Sequence, residues 1–265
     1  MGAGKRLYRS VRLAASAMGA YRLYEWLLER YVSSGPIPSH VGIILDGNRR
    51  WADEMRMPRW MGHRYGADRL EEVLHWVLDL GIRTTTVYAL SIENMERRPR
   101  EEVDRILELI KERSKKLVVD PLVHERKGRV RRIVDSTRLP EDVRASLEEA
   151  ERASAGYDRF FLNLAVAYGG REEIVHVARE VARMAASGTI RPEDVDEELI
   201  SSLTYTGGLP DPDLIIRTSG ESRLSGFLLW QSAYSELVFL DVYWPEFRRI
   251  DLLRAIRTYQ NRSRR

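Results

Sequence analysis

His40-Val41-Gly42-Ile43-Ile44-Leu45-Asp46-Gly47-Asn48-Arg49-Arg50-Trp51-Ala52 joins a short apolar, β-branched run to a polar helix start. Val41 to Leu45 reads as a buried strand, and Asp46 stands at its carboxyl end with Gly47 and Asn48 making the turn. The first N–H groups of a helix have no intrahelical partner and favour phosphate oxygens. Asp46 can hold a divalent cation there, and Arg50 can neutralise further charge, so the segment reads as a diphosphate site. Taken alone, it reads first as an ordinary strand-to-helix turn capped by Asp or Asn.

The rest of the chain repeats the same alternation. Short apolar runs at Val41 to Leu45, Thr84 to Leu90, Val130 to Val134, Phe160 to Ala165, Leu214 to Arg217 and Leu237 to Leu240 are candidate strands. Longer amphipathic segments at Tyr65 to Leu80, Glu101 to Val118, Pro140 to Ser154, Arg171 to Ala186 and Val195 to Leu203, and one after Phe247, are candidate helices. This pattern predicts a single α/β domain with a central, largely parallel sheet flanked by helices. Asp46, Ser91 to Arg98, and Arg217 to Arg223 then all fall just beyond carboxyl ends of strands, the edge where open parallel sheets bind ligands.

A chain of 265 residues with 43% hydrophobic content is long enough to bury a full core. Its 43 basic residues are nearly balanced by 40 acidic ones, for a net charge of +3, which argues against a protein that wraps nucleic acid. The absence of cysteine excludes disulfides and thiolate metal sites and suits a reducing, cytoplasmic setting. Most of the basic residues are arginine, a bias that genome composition or thermophily explains first, though its planar fork also matches phosphate oxygens.

No run of 18 apolar residues occurs, so no spanning segment is predicted. Residues 1–35 are set apart as a basic amphipathic helix and linker, with 36–265 as the main domain. Lys5, Arg6, Arg9 and Arg12 precede a short apolar segment, but Arg22 interrupts it and the helical pattern runs on to Tyr31, unlike a secretion signal. Leu7, Val11, Met18, Tyr21, Trp26 and Leu28 among arginines give a helix that packs on the body or rests peripherally on a membrane surface.

Further candidate site residues follow in order. Arg59 and the Gly62-His63-Arg64-Tyr65-Gly66 segment, read as a second helix start, offer an arginine and a histidine to the Asp46 turn. Ser91-Ile92-Glu93-Asn94-Met95-Glu96-Arg97-Arg98-Pro99 places a hydroxyl, an amide and two arginines before a proline-started helix. Arg217-Thr218-Ser219-Gly220-Glu221-Ser222-Arg223-Leu224-Ser225 is a second oxyanion cradle. Glu236 sits among apolar residues, where a carboxylate needs a cation or a hydrogen-bonding partner.

Together these motifs closely resemble the cis-prenyltransferase family, of which undecaprenyl diphosphate synthase is the best-known bacterial activity. The match runs from about His40 to the C-terminus and rests on the quoted turn, Gly62-His63 with Gly66, Tyr88 to Asn94, and Ile216 to Phe239. Arg49, the Ile92-Glu93 pair and the N-terminal extension resemble archaeal or eukaryotic relatives more than the common bacterial form, and the arginine bias with the lack of cysteine points to the archaeal ones.

The resemblance implies sequential condensation of isopentenyl diphosphate onto an allylic diphosphate, farnesyl or geranylgeranyl, with the new double bond formed cis. The product is a long polyprenyl diphosphate that serves as a precursor of a glycosyl carrier lipid. It implies Mg2+ held by Asp46 and Glu236, with Glu236 acting at or across a homodimer interface. Asp46 and Asn94 are the implied catalytic residues; Asn94, a neutral amide, suits orientation better than proton removal. The implied substrate contacts are Gly47, Asn48, Arg49, Arg50, Trp51, Arg59, His63, Ser91, Ile92, Glu93, either Arg97 or Arg98, and Arg217, Arg223, Leu224 and Ser225.

The electrostatics agree with such a site: even unit like charges about 4 Å apart repel by about 4 kcal/mol at an effective dielectric near 20, so two diphosphates side by side need two arginine cradles and a cation. A growing hydrocarbon also needs an apolar tunnel, for which the helices at Tyr65 to Leu80 and Glu101 to Val118 are the expected walls. No aspartate-rich motif of the kind used by trans-prenyl synthases is present. The competing reading within the family is a non-catalytic partner subunit. A nucleic-acid binder using the basic N-terminus with Arg129, Arg131 and Arg132 would bind with steep salt dependence and no need for isopentenyl diphosphate.

Overall fold

The computed structural model describes residues 20–133 and 138–262. Six strands form one sheet, all parallel: β1 (His40–Ile44), β2 (Thr84–Ser91), β3 (Gly128–Ile133), β4 (Phe160–Tyr168), β5 (Leu214–Arg217) and β6 (Glu236–Phe239), in the order β3-β4-β2-β1-β5-β6. Every strand run predicted from the sequence is a strand, with ends moved by up to three residues. The expectation of a largely parallel sheet is met by a wholly parallel one. From β1 the chain adds β2 beside it, skips a place to lay β3 at the edge, comes back to set β4 between β3 and β2, and then crosses to the other side of β1 to lay down β5 and β6. That reversal puts a topological switch point between β1 and β5, where their carboxyl ends diverge into a crevice.

The helices are α1 (Ala20–Ser33), α2 (Asn48–Glu54), α3 (Arg59–Asp79), α4 (Ile92–Arg97), α5 (Arg100–Val119), α6 (Pro121–Glu125), α7 (Glu141–Ala153), α8 (Gly170–Ala186), α9 (Glu197–Leu203) and α10 (Arg249–Arg262). Alternation along each strand sends successive residues to opposite faces. Val41 and Ile43 of β1 meet Leu28 and Val32 of α1, Val73 and Val77 of α3, and the buried face of α10. On the same face, Val87, Leu164 and Val130 pack against Val103, Ile106 and Leu107 of α5 and Val143 and Leu147 of α7. The other face carries Ile44, Tyr88, Tyr168 and Ile215 beneath Phe227 and Leu228.

The Gly62-His63 segment is not a helix start. It lies inside α3, which begins at Arg59. Gly62 and Gly66, one turn apart, let α3 lie directly on the start of α2: a Cβ at Gly62 would come within 2.1 Å of the Asn48 carbonyl oxygen, and one at Gly66 within 2.4 Å of Asn48 Oδ1. The glycines therefore serve a close helix approach rather than a turn.

In the N-terminal segment, residues 1–19 lie outside the described residues. The described part packs on the body as α1: Leu28 and Val32 are buried, Glu29 pairs with Arg249 at 2.5 Å, and Gln260 donates to the Val32 carbonyl at 2.8 Å. Its outer face leaves Leu23, Trp26 and Leu27 more than half exposed.

Candidate active site

β1 ends at Ile44, and two residues later Asp46 enters the crevice at the switch point. Its backbone is fixed first. Thr218, just past β5, accepts from Asp46 N–H at 3.1 Å and donates to its carbonyl at 2.7 Å, while Trp244 N–H donates to the same carbonyl at 3.0 Å. Gly47 then turns the chain with φ of 101°, where a Cβ would meet the Tyr243 ring at 2.7 Å. Glycine is demanded twice over, by conformation and by space. The first turn of α2 follows at once and presents its unpaired N–H groups at the crevice.

The register sets Arg217 of β5 beside Ile44 of β1. From there its guanidinium, 5% exposed, joins the two predicted cradles: Nη2 donates to Asp46 Oδ2 at 2.7 Å, and Nη1 donates to Ser225 Oγ at 2.7 Å and to the Arg223 carbonyl. Arg50 donates to Asp46 Oδ1 at 3.1 Å and, from its other terminal nitrogen, to Glu221 Oε1 at 3.1 Å. Glu221 also pairs with Arg223 at 2.6 Å. The distant sequence motifs thus converge on one carboxylate.

The second cradle is built on uncommon backbone. Ser219, Ser225 and Leu228 have φ of 80°, 50° and 45°, and Gly220 and Gly226 are also left-handed. Non-glycine residues rarely adopt such conformations, and clusters of them mark ligand-binding segments. Tyr88 and Phe227 stack beneath, with ring centroids 4.8 Å apart, and Tyr88 donates to the Tyr168 carbonyl at 3.2 Å.

Leu45, Asp46, Gly47, Asn48, Arg49, Arg50, Asp53, Arg59, His63 and Arg98 line a polar pocket of about 270 Å³. Asn48 and His63 also belong to the wall of a second, larger cavity of about 530 Å³. Leu70 and Leu74 of α3, Ile106 and Ile110 of α5, and Leu162 and Leu164 of β4 make that cavity apolar. A charged pocket therefore opens beside a greasy one, with α3 and α5 as walls, as expected.

Of the two candidate arginines before Pro99, Arg98 lines the pocket and reaches Glu102 at 3.3 Å, whereas Arg97 is exposed. Arg59 lines the pocket while pairing with Asp53 at 2.9 Å. Trp51 does not line it; its ring is buried against Tyr65, with centroids 4.9 Å apart. Ser91 caps α4 by accepting from Asn94 N–H at 3.0 Å, so Ser91, Ile92, Glu93 and Asn94 stand at the carboxyl end of β2 and line neither the pocket nor the cavity. Leu224 packs against the core beneath the second cradle.

Glu236 stands apart within one copy of the chain. It pairs with Arg262 at 2.9 Å, and the register sets it level with Leu214 and Val41. It is therefore five residues short of Asp46 along the sheet, about 16 Å at about 3.3 Å per residue. Within one copy of the chain, Glu236 therefore does not reach a cation held at Asp46. Among the described residues no group of three or more His, Cys, Asp or Glu could hold a metal by itself. One carboxylate still suits Mg2+, which usually takes one or two carboxylates and completes its shell with substrate phosphates and water.

Two residues of this site have no distinctive sequence signal. Glu221 lies in the polar loop between two candidate arginines, and Glu102 sits in the first turn of α5, where acidic residues are common for helix-dipole reasons alone. Burial would raise the Glu102 carboxyl, but the His63 hydrogen bond and the Arg98 and Arg49 charges hold it below the usual carboxylate range. Burial, reinforced by the same two arginines, lowers His63, so its imidazole is neutral near pH 7.

Residues 44–265 match the family model described as "Putative undecaprenyl diphosphate synthase". A tritrans,polycis-undecaprenyl-diphosphate synthase (geranylgeranyl-diphosphate specific) of Methanopyrus kandleri is 54% identical over 259 residues, 98% of this chain and 94% of that protein. An isoprenyl transferase of Thermus thermophilus is 47% identical over 258 residues, 96% of this chain and 98% of that one. Among solved structures, lavandulyl diphosphate synthase from Lavandula x intermedia, in complex with dimethylallyl diphosphate, superimposes with a TM-score of 0.79 at 36% identity, covering 84% of this chain and 95% of that one. A probable undecaprenyl diphosphate synthase from Campylobacter jejuni gives 0.69 at 27% identity, covering 87% of this chain and 98% of that one.

Proposed function

The chain belongs to the undecaprenyl diphosphate synthase family of prenyltransferases, in its archaeal form, and on that premise we propose that it lengthens geranylgeranyl diphosphate with isopentenyl diphosphate, each new double bond cis, to a product of undecaprenyl length. The observation that carries this reading is the single linkage Ser225–Arg217–Asp46–Arg50, whose Asp46 and Arg50 line a polar pocket that shares Leu45, Asn48 and His63 with an apolar cavity. Two cradles for diphosphate sharing one carboxylate, beside a space for hydrocarbon, suit a reaction in which one diphosphate leaves while its neighbour stays bound.

In this scheme the primer's diphosphate lies over the first turn of α2 among Arg49, Arg50, Arg59 and Arg98, with its tail in the cavity. Isopentenyl diphosphate lies against Arg217, Arg223 and Ser225. Asp46, with Glu236 of a second copy as the expected partner carboxylate, would hold Mg2+, which would supply positive charge to the departing diphosphate as the primer's C–O bond breaks. The arginines stabilise the same developing charge, and the apolar wall keeps water from the allylic cation. The isopentenyl double bond attacks that cation, and loss of a proton to a phosphate oxygen restores the double bond, with Asn94 in an orienting role.

A homodimer is part of the proposal, supported by the distance of Glu236 from Asp46 and by the exposed Tyr234, Ile174 and Val175. No helix among the described residues is long and apolar enough to cross a membrane. A cytoplasmic enzyme resting peripherally on the bilayer is the accompanying reading, supported by the exposed Leu23, Trp26 and Leu27 beside Arg22 and Arg30 on α1. The product's use as precursor of a glycosyl carrier lipid is part of the same proposal.

The test is incubation of purified protein with labelled isopentenyl diphosphate, Mg2+ and either geranylgeranyl or farnesyl diphosphate, followed by chain-length analysis. Geranylgeranyl diphosphate is expected to give kcat/KM at least about tenfold higher, because its extra five-carbon unit can bury up to about 4 kcal/mol of apolar surface at about 0.8 kcal/mol per CH2, and even one methylene discriminates about tenfold or more. Products are expected to extend to undecaprenyl length. Incorporation only after a homologous subunit is added would identify the chain as a non-catalytic partner instead.

A further inference from the structure

We propose that Glu102 is a positioning residue for the allylic primer, a carboxylate set behind the polar pocket that holds three of its cationic or hydrogen-bonding side chains in place. The inference rests on the reading of that pocket as the primer's diphosphate site. Glu102 is 9% exposed. Its Oε1 meets side chains from three different parts of the chain: His63 Nε2 of α3 at 3.1 Å, Arg98 Nη1 from the α4–α5 junction at 3.3 Å, and Arg49 Nε of α2 at 3.5 Å. Arg98 Nη1 is also 3.3 Å from His63 Nε2. All three partners line the polar pocket, whereas Glu102 does not.

This placement has a physical consequence. Arg49 and Arg98 carry like charges into a confined space, with side-chain exposures of 35% and 18%, and without a counter-charge each would turn towards solvent. One shared carboxylate removes that tendency. It also favours one tautomer of His63: a neutral ring protonated at Nε2 donates to Glu102, in place of the ring that would accept there from Arg98. The cluster keeps a net charge of about +1 from two arginines, one glutamate and a neutral imidazole, so it still attracts an anion. Helices α2, α3 and α5 are thereby tied at the junction of the diphosphate pocket and the apolar cavity.

A carboxylate near a diphosphate can also act as a competitor, and the two roles predict opposite signs. If Glu102 mainly repelled the primer, removing it would tighten binding. If it mainly positions the cations, removing it loosens binding, because the arginines are no longer pre-organised. Three contacts within hydrogen-bonding or ion-pair range on one oxygen favour the second.

The experiment is equilibrium calorimetry of geranylgeranyl thiodiphosphate, whose sulfur bridge resists ionisation, with wild type, Glu102→Ala and Glu102→Gln in the absence of isopentenyl diphosphate. In parallel, the KM for isopentenyl diphosphate is measured on each protein. Glu102→Ala is expected to weaken thiodiphosphate binding by about tenfold or more, with Glu102→Gln, which keeps an acceptor for His63 and Arg98, falling between it and wild type. The KM for isopentenyl diphosphate is expected to stay within about twofold, because Arg217 and Ser225 touch none of the four residues. Equal or tighter thiodiphosphate binding by Glu102→Ala, or a parallel rise in the isopentenyl KM, would overturn the positioning role alone. Wild-type protein that fails to bind the thiodiphosphate would overturn the primer site and this inference with it.

Discussion

Replacing Asp46 with alanine is expected to lower kcat for prenyl transfer by about 10³-fold or more while leaving the protein folded. The carboxylate is the meeting point of Arg50 and Arg217 and the proposed anchor of the metal. Loss of a single pre-organised group that stabilises a departing anion costs about 10² to 10³ in rate, and loss of a metal ligand adds to this. The fold does not depend on the carboxylate, because the turn is held through its backbone by Thr218 and Trp244. Asp46→Asn, which keeps the shape and drops the charge, is expected to lose nearly as much. Rapid-quench single turnovers with geranylgeranyl diphosphate, alongside thermal unfolding, make the measurement; a variant within tenfold of wild type would remove Asp46 from the chemistry.

Arg217→Ala is expected to damage both binding and stability. Its guanidinium is almost fully buried and satisfies Asp46 Oδ2, Ser225 and the Arg223 carbonyl together, so truncation removes the donor of all three and leaves Asp46 with Arg50 alone. Removing one partner of a buried pair costs about 3 to 5 kcal/mol, and because Asp46 is 25% exposed the lower end applies here. In binding, loss of one charge-assisted contact of about 1.5 to 3 kcal/mol raises the KM for isopentenyl diphosphate by about ten- to a hundredfold. Arg217→Lys should recover the charge but not the fork, and so only part of the affinity. A variant with a lowered melting temperature but an unchanged isopentenyl KM would make Arg217 purely structural.

Much of this molecule is legible in its sequence, for identifiable reasons. A parallel sheet buried on both faces requires continuous apolar strands, and Val41 to Leu45 and Leu214 to Arg217 have that form and no competing one. Asp46 and Arg217 are legible because the carboxyl edge of such a sheet is where ligands sit. The start of α3 was less so: Gly62 and Gly66 resemble turn residues until the partner helix they admit is known. Trp51 sits in the motif, but its large ring finds more burial between α2 and α3 than at the pocket. The choice between Arg97 and Arg98 depends on where α4 ends, a boundary that local pattern does not fix. Glu102 and Glu221 are the least legible, since a carboxylate among exposed helix or loop residues has no signature until the arginines arrive from elsewhere in the chain.

The central claim is that two diphosphates meet at one carboxylate with a hydrocarbon running inward. The most direct measurement is a crystal structure with Mg2+, isopentenyl diphosphate and geranylgeranyl thiodiphosphate bound together. It is expected to show the thiodiphosphate over the first turn of α2, with Arg49, Arg50 and Arg98 around it and its tail among Leu70, Ile110 and Leu164. The isopentenyl diphosphate should lie against Arg217 and Ser225. A tail outside that cavity, or an isopentenyl group bound away from Asp46, would contradict the account.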